Sequence, residues 1–126
     1  MHRAGCGELA VALSLLGMGG VAAADEASKG KLAFNNSCRT CHAMDAGDHR
    51  LGPSLHGVVG REAGSVEGYP FSSALERATF VWDEEKLDKF IESPDQVLTG
   101  HKMKPYGGMA DAGERKEIIA FLKTLN

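Results

Sequence analysis

The chain has 126 residues, enough for one domain, with 14 Lys+Arg against 17 Asp+Glu and a net charge of −3. That balance excludes an ordinary basic nucleic-acid binder, and 43% apolar with 25% charged residues excludes wholesale disorder. No apolar run is long enough for a standard transmembrane helix, and 3 cysteines are too few for a disulfide-stapled mini-protein.

The first segment reads as a leader. Met1-His2-Arg3 is basic, Leu9 to Leu16 is apolar and the run continues to Val21, and Ala22-Ala23-Ala24 supplies an A-x-A cleavage site before the polar Asp25-Glu26. This is the plan of a secretory signal peptide, so residues 1–24 are expected to be removed after Ala24, leaving 25–126 as the domain. An uncleaved anchor is the rival reading, but the apolar core falls short of the roughly 20 residues needed to span a bilayer. Cys6 leaves with the leader. What remains is small enough to be marginal without a staple, which gives any cofactor signal more weight.

Asp25 or Ser28 can cap a first helix running to about Cys41, with Leu32, Ala33 and Phe34 on or near its buried side. Residues 43–71 then carry Gly47, Gly52, Pro53, Gly57, Gly60, Gly64, Gly68 and Pro70, which predicts loops and turns. So long a loop is abnormal in a small domain unless it wraps something. A short helix is predicted over Ser72–Ala78. Asp83 caps the next, in which Leu87, Phe90 and Ile91 fall at i, i+3 and i+4, and Pro94 stops it. Residues 95–110 read as irregular, with Gly100, Pro105, Gly107 and Gly108. Asp111-x-x-Glu114 resembles a capping box and opens a last helix with Ile118, Phe121, Leu122 and Leu125 on one face. The expected class is all-α: three to four helices joined by long Gly-rich loops, without a convincing strand.

The chemistry sits at Cys38-Arg39-Thr40-Cys41-His42, a C-x-x-C-H attachment signature for c-type haem. On a helix, residues three apart point the same way, so both sulfurs can add to the two vinyl groups of one porphyrin, with His42 placed as proximal iron ligand. A thioredoxin-like redox pair would need a nearby βαβ pattern, which is missing. A zinc site would need a second cysteine pair or suitably spaced histidines, also missing. The sixth ligand must come from the opposite haem face. Met44 lies too close to His42 to reach it, whereas Met103 and Met109 both lie in the irregular stretch between the last two helices. His101 and His56 are rival ligands, though a loop histidine is more often a solvated residue.

Taken together, CRTCH, LGPSLHGVVGREAG, TFVWDEEKLDKFIESPDQ, TGHKM and ERKEIIAFLKTL resemble class I cytochrome c of the mitochondrial type and its soluble bacterial relatives, over nearly all of residues 28–126. The resemblance implies that fold, built around one haem c attached through two thioethers at Cys38 and Cys41. It implies iron ligation by His42 and Met103, with Met103 preferred to Met109. Gly30 and Phe34 match first-helix positions that cross the last helix at Ile118 and Phe121. Pro53 matches the proline whose carbonyl accepts a hydrogen bond from the proximal histidine. Leu55 matches a residue packed on the haem, and Arg61 and Trp82 match groups that meet the buried propionates.

The departures from the family pattern are specific. Phe71 replaces a propionate-binding tyrosine, with Tyr69 two residues earlier, and Phe90 replaces a tyrosine that bonds the methionine sulfur. His101 replaces a threonine that bonds a propionate; an imidazole there is expected either to do the same or to face solvent. Asp95 and Gln96 replace a lysine pair at the haem edge, leaving Lys102, Lys104, Arg39 and Arg50 as the nearby positive charge. The expected function is single-electron transfer by a periplasmic, monomeric carrier, not catalysis, because His42 and Met103 would fill both axial positions. The expected partners are redox proteins, such as a quinol:cytochrome c reductase and a terminal oxidase, reductase or reaction centre, with no nucleic acid and no stable membrane insertion. The rival classes, a five-coordinate haem peroxidase or gas binder and a haem-carrying signalling module, differ in spectrum and redox behaviour.

Overall fold

The computed structural model describes residues 19–126; the apolar segment Leu9–Leu16, expected to belong to a leader, and Cys6 lie outside the described residues. Among the described residues the chain forms α1 (Gly19–Ser37), α2 (Ser73–Glu76), α3 (Glu84–Glu92), α4 (Pro94–Val97) and α5 (Ala112–Leu122). No described helix is long and apolar enough to cross a membrane. Among the described residues the one strand-like feature is an isolated antiparallel bridge between Glu62 and Val81.

α1 differs from expectation at both ends. It runs through Ala24 and Asp25 without a break, so neither Asp25 nor Ser28 caps it, and the Ser28 hydroxyl instead donates to the Ala24 carbonyl at 3.0 Å. It stops at Ser37 rather than Cys41, where the Phe34 carbonyl accepts from both Cys38 N at 2.8 Å and Arg39 N at 3.0 Å. Its buried stripe is Gly30, Ala33 and Phe34, at i, i+3 and i+4. Leu32 lies off that stripe and is 64% exposed, contrary to the sequence reading.

The other elements follow local signals. Ser72 accepts from Leu75 N at 3.2 Å to start α2, Asp83 accepts from Lys86 N at 2.7 Å to start α3, and Asp111 accepts from Glu114 N at 2.9 Å to start α5. Leu87, Phe90 and Ile91 are the buried residues of α3, as their spacing predicts. Pro94 ends α3 but also opens α4 as its first residue, so 95–97 is helical where the sequence reads as irregular.

The frame is the crossing of α1 over α5. A Cβ on Gly30 would stand 1.8 Å from the Glu117 carbonyl oxygen and 2.9 Å from the Phe121 Cβ, so only glycine allows the two backbones this close. Phe34, fully buried, meets Phe121 with ring centroids 5.4 Å apart at 55°. Val58, Trp82, Leu87, Phe90 and Ile118 complete the core around them. A Gly30→Ala substitution forces a methyl group onto backbone that cannot swing aside. It is expected to destabilise the holoprotein by at least about 2 kcal/mol in denaturant unfolding, with the visible spectrum of the folded form retained.

Candidate haem site

The cysteine turn follows directly from the end of α1. Cys41 N and His42 N both donate to the Cys38 carbonyl, at 3.1 and 3.0 Å, so residues 38–42 form one further helical turn beyond the helix proper. Cys38 and Cys41 are free thiols, both half-buried. Burial pushes the Cys38 thiol up to about 11, with the neighbouring Cys41 and Glu114 adding to the shift.

His42 is 8% exposed, and its Nδ1–H donates to the Pro53 carbonyl at 2.8 Å. A carbonyl can only accept, so the proton sits on Nδ1 and the Nε2 lone pair is free to face a metal. Burial lowers the His42 pKa, the Pro53 bond opposes that, and the nearby Arg61 charge lowers it further. The resulting neutral imidazole is the form that ligates iron. Gly52 makes room for the ring: a Cβ there would lie 2.3 Å from Cε1 and 2.9 Å from Nε2 of His42.

The loop after His42 is held by polar side chains. Leu55 N donates to the Ala43 carbonyl at 3.0 Å. His49 accepts at Nδ1 from Ser54 N at 3.0 Å and donates from Nε2 to the Glu67 carbonyl at 2.9 Å. The Arg61 guanidinium is half-buried, which lowers its pKa, and it donates to the carbonyls of Ser54 at 3.2 Å and His56 at 3.0 Å. Tyr69 gives its hydroxyl to the Leu51 carbonyl at 2.7 Å and packs edge-on against Phe71. Trp82 is buried between Phe80 and Phe90, each with its ring centroid 4.9 Å away.

The segment between α4 and α5 carries both candidate methionines. Met103 and Met109 are half-buried and pack against the core; Met109 N donates to the Ile91 carbonyl at 3.0 Å. Tyr106 gives its hydroxyl to the same Ile91 carbonyl at 2.5 Å. Arg115 donates to the carbonyls of Met109 and Ala110, both at 2.9 Å, and to the Asp88 carboxylate at 2.8 Å. His101 corrects the sequence reading. It is 4% exposed, so it is no solvent-facing residue. Both ring nitrogens are engaged within the protein: Nδ1 accepts from Met103 N at 3.0 Å and Nε2 donates to Asp95 at 2.7 Å. Neither nitrogen is left for a propionate or for iron.

The donor set fits haem c. Two free thiols and a neutral imidazole share one turn, and half-buried Leu55, Val59, Leu75, Phe80, Leu98 and Met103 lie against the core with apolar surface still uncovered. The residues that sequence reasoning missed are Gly52, His49, Tyr106 and Arg115. Gly52 precedes Pro53 and is legible only as a turn residue; His49 and Tyr106 act on carbonyls distant in sequence, and Arg115 on the distant Asp88 carboxylate.

A family model for cytochrome c matches residues 27–126. The chain is 42% identical to cytochrome c2 of Rhodopila globiformis over 97 residues, 77% of this chain and 91% of that one. It is 40% identical to cytochrome c of Euglena viridis over 100 residues, 79% of this chain and 97% of that one. Among solved structures, cytochrome cH from Methylobacterium extorquens is similar with a TM-score of 0.71 and 37% identity, covering 78% of this chain and 97% of that one.

Tyr106 generates a pH prediction. Burial first, then the nearby Cys38, raise its pKa from 10.0 to about 12, and the burial remains once Cys38 is a thioether. The unfolded chain therefore loses the phenol proton before the folded chain does. The Tyr106 contribution to stability is complete below pH 10 and is lost as pH rises from 10 towards 12. Denaturant midpoints of the holoprotein across this window should fall more steeply for wild type than for Tyr106→Phe.

Proposed function

The chain belongs to the cytochrome c family, and on that premise we propose that it is a periplasmic carrier whose iron is held by His42 and Met103. Members of the family are electron carriers, not enzymes, and bind haem c covalently; Cys38 and Cys41 are the attachment cysteines of this chain. When bound, that group supplies a one-electron Fe(III)/Fe(II) couple. The chain's own residues do the rest. Cys38 and Cys41 anchor through thioethers. Pro53 orients His42 and raises its basicity through the Nδ1–H bond. Leu55 would pack on the haem, and Arg61 and Trp82 would meet its propionates. Met103 would supply the iron's other protein ligand, and with His42 it would leave no site open for peroxide or oxygen. The observation that carries this reading is the His42 ring, neutral, buried and fixed by Pro53 with Nε2 uncommitted, one residue beyond the second thiol.

Cleavage of residues 1–24 and export to the periplasm belong to the same reading, supported by the leader pattern in the sequence. So do the partners: a quinol:cytochrome c reductase as donor and a terminal oxidase, reductase or reaction centre as acceptor. Four cations were expected near the haem edge, all of them exposed. Arg50 lies 3.2 Å from Asp48 and Lys104 lies 3.8 Å from Asp95, which weakens the field that these two present to a partner. Arg39 and Lys102 remain as the steering charges.

Two measurements test the proposal. Met103→Ala should abolish the far-red sulfur-to-iron band of the oxidised protein. It should also lower the reduction potential by about 0.1 V or more, within the roughly 0.8 V range that axial ligands command. Loss of that band in Met109→Ala instead would overturn the ligand assignment. Stopped-flow oxidation by an acidic redox partner should slow as ionic strength rises, by less than about tenfold between about 0.01 and 0.15 M. A rate that climbs with salt would reject the basic docking face.

A further inference from the structure

We propose that His101 and Asp95 form a clamp that positions Met103, an inference that rests on the reading of Met103 as axial ligand. His101 is buried although its neighbours Gly100 and Lys102 are exposed. Its Nδ1 accepts the backbone N–H of Met103 at 3.0 Å, so the ring carries its hydrogen on Nε2 and donates it to Asp95 Oδ1 at 2.7 Å. The ring also meets Phe90 edge-on, with centroids 5.8 Å apart at 75°, and Phe90 is itself buried against Trp82. Three contacts thus fix one imidazole: a helix side chain, a carboxylate and the backbone of the proposed ligand.

Asp95 stands in the first turn of α4, beside the buried Pro94. Its carboxylate is 73% exposed, so it reaches the buried ring from the solvent side and stays hydrated there. Lys104 Nζ approaches the same oxygen at 3.8 Å. Residues on both sides of Met103 therefore return to a single carboxylate, and the segment between them is tied to the core through Phe90. A loop without this tie would spend more time with the methionine displaced. The clamp therefore acts on the strength of ligation and leaves the identity of the ligand unchanged.

The test is imidazole binding to the ferric holoprotein, followed by loss of the far-red band, because an added ligand must displace the methionine. His101→Leu removes the acceptor for Met103 N–H and should tighten imidazole binding about fivefold, the effect of losing one ordinary hydrogen bond. Asp95→Ala should tighten it about twofold. His101→Asn restores an acceptor two residues before the N–H, in the manner of an Asx turn, and should return binding to within about twofold of wild type. A merely structural role would lower the unfolding midpoint while leaving imidazole affinity at the wild-type value, and that result overturns the clamp. If His101→Leu fails to fold, the exposed Asp95→Ala carries the test. An Asp95→Ala protein with wild-type affinity then overturns the clamp. Met103→Ala separates the two levels. If it keeps the far-red band, the ligand assignment fails and the clamp with it; if it loses the band while His101→Leu and Asp95→Ala match wild type, only the clamp fails.

Discussion

The approach of α1 to α5 at Gly30 sets the position of everything that follows in the chain. With no side chain at Gly30, the Glu117 carbonyl occupies the space a Cβ would take, and Phe34 drops onto Phe121 one turn later. The Phe34 carbonyl then ends the helix by accepting two backbone N–H groups, and the cysteine turn begins at the next residue. The register of Cys38, Cys41 and His42 is thus inherited from a helix crossing. A larger residue at Gly30 would move the frame on which the thiols and imidazole are placed, although it touches none of them.

The loops are fixed by a different means. With few large apolar side chains to anchor them, long polar side chains reach back to backbone carbonyls: Arg61 to Ser54 and His56, Arg115 to Met109 and Ala110, Tyr69 to Leu51, and Tyr106 to Ile91. A carbonyl left unpaired inside the protein costs about 1–3 kcal/mol, so the bond from Arg61 to the buried Ser54 matters more for the penalty it avoids than for its own strength. This is how long Gly-rich segments, which bring little burial of their own, can hold a defined path next to a prosthetic group.

Legibility in the sequence follows the range of the interaction. The caps at Asp83 and Asp111 and the buried triplet of α3 are local, involving partners three or four residues apart, and they stand where spacing places them, whereas the helix expected over Ser72–Ala78 is shorter, Ser73–Glu76, with Ser72 as its cap. The end of α1 was not legible, because C-x-x-C-H continues helical bonding as a turn and nothing in its residue types marks Ser37 as the last helical position. α4 was missed because Pro94 reads as a stop, while its lack of an N–H suits it equally to begin a helix. The role of His101 is hidden with it, because its partner Asp95 sits on that same turn, which the sequence reads as irregular.

Three histidines of the loops show how one residue type is assigned different work by its hydrogen bonds. His49 and His101 both accept a backbone N–H at Nδ1 and donate from Nε2, the first to the Glu67 carbonyl and the second to Asp95. Each is spent on holding a loop. His42 is wired in the opposite sense: it donates from Nδ1 to Pro53, and the nitrogen left over is the one with a lone pair. The difference originates in the neighbouring backbone. Pro53 offers a carbonyl and has no N–H to give, and Gly52 leaves the space in which the ring turns towards it. Exchange of the acceptor for a donor at that point would reverse the tautomer and point a hydrogen, rather than a lone pair, at the place where the iron must bind.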